Sequence, residues 1–307
     1  MELGTIEPAR SGSMSTGILV GLFDFRSHAD LVEAVSRLLN LPTEEVKERL
    51  FYEAIETGWN TNRAIREFQV TPHVYNERMQ AFYKGTDSFV FELVVSHLTP
   101  GCEEIDRRVA EAIEVQYPNP KNLRILAFGD GIGTDALRLA AMGHDAAYFE
   151  FEGPSSRFAQ YRFGRLNLED RIQVLHSPEG IPLGAFDVVV CREVLEHAVD
   201  PPSVVAHLRE HLRDAGIAVI TESFARVEPN FPTHLAENRK YAGRTERLFV
   251  EIGFRLLHSY PDRRPMVFQK TALSDRSRFD SLEADRQYAF QNVIRRVGRY
   301  VLRFVRF

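Results

Sequence analysis

Ile125-Leu126-Ala127-Phe128-Gly129-Asp130-Gly131-Ile132-Gly133-Thr134 is the stretch that decides the fold. Four apolar residues run into a turn with glycine at every second position. The expected helix over 134–142 comes next, carrying Ala136, Leu137, Leu139, Ala140 and Ala141. A short buried strand, a glycine turn and a helix form the opening unit of an open α/β sheet. The glycines let the backbone turn tightly and approach a ligand at a helix N-terminus.

The pattern repeats downstream. Strands are expected over 146–151, 172–175, 186–191 and 217–221, separated by helices over 155–165 and 202–213. Near-continuous apolar strands alternating with helices predict a parallel sheet covered on both faces. The last two strands, 253–257 and 265–269, are separated only by 258–264. That gap is too short for a crossover helix, so this pair is expected to be antiparallel.

Upstream, residues 27–116 read as helices. Leu31, Ala34, Val35, Leu38 and Leu39 fall at helical spacing. Pro42-Thr43 breaks and restarts the run, with Thr43 expected as N-cap. Thr71-Pro72 is expected to open another helix. Phe89, Leu93, Val94 and His97 mark one more. Tyr117-Pro118-Asn119-Pro120 stops the helical region, since each proline removes a donor. The expected division is an irregular segment 1–26, a helical cap 27–118, a nucleotide-binding α/β domain 119–273 and a tail 274–307.

Composition excludes several classes. Hydrophobic residues are 44% and charged residues 26% of 307, values of an ordinary globular chain rather than a disordered or collagen-like one. No apolar run approaches the roughly 20 residues of a membrane-spanning helix. Two cysteines, Cys102 and Cys191, make neither a disulfide framework nor a cysteine zinc site, and a reducing cytoplasm is expected. The net charge of -5 is asymmetric. Six arginines (286, 295, 296, 299, 303 and 306) lie beyond the last acid, Asp285, and without them 32 basic residues face 43 acidic ones. An acidic body argues against nucleic-acid binding. The tail repeats Val293, Val297, Val301 and Phe304 at helical spacing, with arginines opposite. It suits an anionic membrane surface or, preferably, the acidic body of its own or a second subunit.

Glu150 falls 17 residues after Gly133, about where a dinucleotide fold places its ribose-binding acid. The loop has neither the Gly-x-Gly-x-x-Gly spacing of that fold nor the Gly-Lys-Ser/Thr of a phosphate loop. Asp130 inside it would repel a pyrophosphate and suit a ligand with a sulfonium and an amino group.

On these residues the chain resembles the class I S-adenosylmethionine-dependent methyltransferases. Residues 125–133 resemble their first motif, and 143–150 the second strand with its ribose acid. Phe186-Asp187-Val188-Val189-Val190-Cys191-Arg192-Glu193-Val194-Leu195-Glu196-His197 resembles their fourth strand and its adjoining helix. The stretch from His207 to Ile220 resembles the next helix and fifth strand, and the closing antiparallel pair separates this family from plain dinucleotide folds. The resemblance covers 121–271, about half of the chain, and implies a Rossmann-like methyltransferase fold that binds S-adenosylmethionine. Expected cofactor contacts are Phe128, Gly129, Asp130, Gly131, Gly133, Thr134, Glu150, Phe151, Ser177, Cys191 and Arg192. The family's acid two residues before the first glycine is Ala127 here, which leaves the amino group to Asp130 or backbone carbonyls. The family's adenine acid has no obvious counterpart in His176-Ser177-Pro178-Glu179 after the third strand, where Ser177 or the backbone is left to read the adenine.

The implied reaction is methyl transfer to an oxygen or nitrogen of a small-molecule acceptor. His234, in the loop after the fifth strand, and Glu193 are the expected catalytic groups, with Tyr83 and Glu222 lining the acceptor side. Glu196-His197 reads as an ordering element of its helix. No spaced set of His, Asp and Glu predicts a metal. Two rivals remain: a dinucleotide-dependent oxidoreductase, and a non-catalytic scaffold of the same fold.

Overall fold

The computed structural model describes residues 22–118 and 120–272. Six helices open it: α1 (His28–Leu39), α2 (Thr43–Ile55), α3 (Trp59–Glu67), α4 (Glu77–Gly85), α5 (Ser88–His97) and α6 (Pro100–Gln116). The α/β part then runs as β1 (Arg124–Phe128), α7 (Thr134–Ala141), β2 (Asp145–Phe149), α8 (Pro154–Arg165), β3 (Ile172–Leu175), β4 (Phe186–Arg192), α9 (Pro201–His211), β5 (Leu212–Thr221), α10 (Thr245–Ile252), β6 (Phe254–Ser259) and β7 (Met266–Lys270). The seven strands form one sheet in the order β3-β2-β1-β4-β5-β7-β6. The first five pair in parallel, and β7 runs antiparallel between β5 and β6. This is the mixed, doubly wound sheet the sequence predicts.

Alternation along the strands sends side chains to two layers. Leu126, Val189, Cys191, Ala218 and Ile220 pack under α9 and α10 with Val205, Leu208 and Phe249. Ile125, Val188, Val190, Ile217 and Val219 pack on the opposite face with Ile105, Val109 and Ile113 of α6. So α6 lies before the expected boundary at 118 yet shares the core of the sheet. Its amphipathic pattern announces a buried face without naming the partner.

Several local expectations change. Thr43 is the first residue of α2 rather than its cap, and Pro42 precedes it without a side-chain cap bond. Residues 71–76 form turns, and α4 starts at Glu77 with the Asn76 side chain accepting from Arg78 and Met79 N–H. The second strand ends at Phe149, before Phe151. Helix α9 stops at His211, so Leu212 and Arg213 belong to β5. The register between β4 and β5 slips between Phe186 and Val188, with Ala215 at φ 60° in the extra residues. A polar Arg213-Asp214-Ala215-Gly216 run gives no apolar signal for a strand. The tail 274–307 and residues 1–21 lie outside the described residues.

The start of the described chain is tied onto the sheet layer by charge. Asp24 and Arg162 of α8 are fully buried partners at 2.8 Å. Arg162 also donates to the Ile132 carbonyl and the Thr134 hydroxyl, both at 2.8 Å. One guanidinium thus joins the entering segment to the glycine loop. Asp24→Ala leaves that cation buried and unpaired, so denaturant unfolding should show a loss of about 3–5 kcal/mol. A loss below about 1 kcal/mol would mean the pair does not fasten the segment.

Candidate active site

The glycine loop is built by its neighbours. Gly129, Gly131 and Gly133 have φ of 68°, 47° and 75°. A Cβ on Gly129 would lie 2.6 Å from Val194, and one on Gly133 would lie 2.7 Å from Phe163. A Cβ on Gly131 would overlap Leu93 of α5, so the cap helix lies directly against the loop. Packing of α5 thus itself requires glycine at 131.

Asp130 is turned inward. Its carboxylate accepts from the N–H of Asp135 and Ala136, at 3.0 and 2.8 Å. It caps α7, where an acid meets the positive end of the helix dipole. Each oxygen takes one of these bonds. The Thr134 hydroxyl is likewise taken, by Arg162. Phe128 stacks on Phe149 at 4.8 Å within the core, and Cys191 is fully buried in that core. Arg192 joins a buried ion cluster, 2.7 Å from Asp106 and 2.8 Å from Asp135. Ser177, exposed after β3, donates to Glu179.

Glu150 stands where the second strand points it. One oxygen accepts the Gly131 N–H at 3.0 Å and the other the Phe151 N–H at 2.8 Å. Burial lifts its carboxyl above the ordinary range. A carboxylate has about four acceptor positions, so two stay open for hydroxyl donors. Beside it Phe151 is 52% exposed, an aromatic face at the rim. Acceptors for a ribose next to an apolar ring for a base fit an adenosine-bearing cofactor.

The second centre lies beyond the ends of β4 and β5. Glu193 takes a left-handed conformation, φ 52°, and turns the chain sharply after β4. Its carboxylate accepts from the Ser223 hydroxyl and lies 3.1 Å from the Arg264 guanidinium. Burial would raise its pKa, but Arg264 and Ser223 hold it below the ordinary range. Glu196 comes three residues later, 1% exposed, with neither carboxylate oxygen hydrogen-bonded. Burial and then Glu193 push its carboxyl well up.

His197 Nδ1 lies 3.1 Å from the Thr233 carbonyl and 3.1 Å from the Tyr83 hydroxyl. A carbonyl only accepts, so Nδ1 carries the proton and Nε2 keeps its lone pair. The His234 ring crosses His197 edge-on at 4.8 Å between centroids. His234 is 6% exposed, and its Nδ1 has no partner. Burial and then His197 push its pKa down to about 3, so its imidazole is neutral.

The structure thus brings Tyr83, Glu193 and His234 together. It places Glu222 at the edge instead, accepting from Phe224 N–H and the Thr245 hydroxyl and tying β5 to α10. Glu196 and His197, read from sequence as ordering residues, stand at the centre. Their signal was the Glu193-x-x-Glu196-His197 spacing at a strand end. Arg264 and Ser223 carried no local signal, because each arrives from another segment.

The sequence profile of the methyltransferase domain family matches residues 102–275, over half of the chain, and the protein belongs to that family. The chain is 30% identical over 119 residues to the ubiquinone biosynthesis O-methyltransferase of Rickettsia typhi, covering 37% of this chain and 46% of that protein. It is 28% identical over 102 residues to the enzyme of that name from Psychrobacter cryohalolentis, covering 32% and 40%. The match therefore spans about half the length of these relatives. Among solved structures, the chain is similar to the Burkholderia thailandensis 1,6-didemethyltoxoflavin-N1-methyltransferase, which holds 1,6-didemethyltoxoflavin and S-adenosylhomocysteine. The identity is 16%, the TM-score 0.42, and the coverage 54% of this chain and 78% of that one.

The cap carries its own titratable group. Glu92 of α5 accepts from the Thr61 hydroxyl. Burial, with the charge of Glu53 adding to it, raises its carboxyl from 4.5 to about 7. Between these values the folded chain holds a proton that the unfolded chain has lost. Stability should therefore fall as pH rises through this window. Glu92→Gln should flatten that part of the curve when urea midpoints are compared across it. An unchanged slope would remove Glu92 as its source.

Proposed function

We propose that this protein transfers a methyl group from S-adenosylmethionine to an oxygen or nitrogen of a small-molecule acceptor. The observation that carries the reading is the Glu196–His197–His234 cluster, in which the Glu196 oxygens and His234 Nδ1 are left open, placed beyond the strand ends on the side of the sheet where Glu150 follows β2. Buried polar groups are nearly always hydrogen-bonded, so a set left open marks a place for another molecule. S-adenosylmethionine, when bound, supplies a methyl group already activated on sulfur. Glu150 accepts from the ribose hydroxyls, and Phe151 covers the base. The helices 27–118 act as a cap, with Leu93 over the loop and Tyr83 over His197. The open atoms of the cluster orient the acceptor and hold its proton. Orientation of this kind supplies much of the rate when the group transferred is already activated.

The O-methyltransferase relatives favour a hydroxyl acceptor. No described helix is long and apolar enough to cross a membrane. Together with the free thiols Cys102 and Cys191, this supports a cytoplasmic enzyme. The arginine-rich tail is assigned to association with an acidic protein surface or an anionic membrane.

Glu150→Ala should weaken S-adenosylmethionine and S-adenosylhomocysteine alike, by about 1.5–3 kcal/mol, as for a hydrogen bond to a charged group. Calorimetry on the folded variant checks this. A loss for only one of the two would contradict a ribose role. Binding of NAD(P) in their place would support an oxidoreductase, and binding of none a scaffold.

A further inference from the structure

We propose that Glu196, His197 and His234 form a binding site for a borderline divalent cation of the Zn2+ class. The proposal deepens the methyl-transfer reading, since it assigns an occupant to the same open cluster. It does not require a bound cofactor.

The donor atoms of the three residues lie within 4.8 Å of one another. Ligands on one such ion at about 2.0–2.2 Å are roughly 3–4 Å apart, so the set closes on a cation with side-chain shifts of under about 1 Å. Two imidazoles and a carboxylate are a donor set for a borderline ion that keeps a position open. The Glu196 oxygens and His234 Nδ1 are buried without hydrogen bonds, as a pair of waiting ligands would be.

The surroundings orient both rings. His197 donates its Nδ1 proton to the Thr233 carbonyl, which leaves Nε2 to coordinate. His234 has a backbone hydrogen bond with Arg226. Its Nδ1 is the partnerless atom, so that bond engages the other nitrogen. A ligating histidine characteristically ties its second nitrogen to a carbonyl or carboxylate in this way. The His234 segment is itself fixed, because His73 Nδ1 donates to the His234 carbonyl at 2.9 Å.

A second group, His97, Cys102 and Asp106, has similar spacing. It is a poor cation site. Arg138 and Arg192 hold Asp106 at 2.9 and 2.7 Å, and two guanidinium charges oppose a dication. The Cys102 sulfur already lies 3.2 Å from His97 Nδ1.

The test is titration of the full chain, stripped with chelator, with Zn2+ by calorimetry and with Co2+ by visible absorption. The expected result is about one ion per chain, with Co2+ d–d bands and no thiolate charge-transfer band. Glu196→Gln and His234→Asn should each lower affinity tenfold or more, as even outer-shell changes do. Circular dichroism establishes that each variant is folded, and the wild-type titration decides the matter should one of them not be. No binding by the wild-type chain overturns the proposal. So does unchanged affinity in folded Glu196→Gln, or a thiolate band lost in Cys102→Ser. These readouts contain no methyl donor, so a negative result leaves cofactor binding and methyl transfer standing.

Discussion

The clamp between the helical cap and the loop after β5 sets the geometry on which the rest of the site depends. His73 N–H donates to the Pro232 carbonyl at 2.7 Å, and Ala236 N–H donates to the His73 carbonyl at 3.0 Å. Asn62 donates to the Pro229 carbonyl at 2.9 Å. Gly58, at φ 81°, faces the Asn230 carbonyl so closely that any Cβ would overlap it. These main-chain contacts hold the loop 229–236 down, and His234 is carried by it. Without them His234 would be a histidine on a surface loop. With them it is buried across from His197, on a strand-end turn from another part of the sheet.

This arrangement explains why the cap and the sheet act as one site. Leu93 closes over the glycine loop, and Tyr83, stacked on Phe89 at 5.4 Å, reaches the His197 ring. The cap therefore touches both the glycine loop and the His197–His234 pair. The two sides differ in chemistry. Around Asp106, Asp135, Arg138 and Arg192 opposite charges are buried against each other in ion pairs, with Arg138 Nε and Nη1 making no hydrogen bond. Around Glu193, Glu196, His197 and His234 some polar atoms are left open.

The sheet was legible because parallel strands are apolar on both faces. The expected strand at 172–175 matches β3 residue for residue, and the apolar run 125–128 lies within β1. The antiparallel closing pair was legible from a gap too short for a helix, and the place of Glu150 beside the glycine loop from spacing. The roles of Asp130, Thr134, Cys191 and Arg192 were not, because motif spacing places a residue near a strand end without showing which layer its side chain enters. Cys191 and Arg192 are neighbours in sequence, yet one enters the core under α9 and the other the ion cluster beside α6. The Glu196–His197–His234 meeting was likewise hidden. It depends on where two loops land, and that is decided by backbone bonds from the cap.

The central claim is that a methyl donor at Glu150 faces the Glu196–His197–His234 cluster. A crystal structure of the full chain with S-adenosylhomocysteine tests it most directly. The expected result is ribose hydroxyls on the Glu150 carboxylate and the sulfur turned toward His197 and His234, with the cap closed by Leu93. A ligand bound elsewhere, or a sulfur turned toward Arg192 and Asp106, would contradict it.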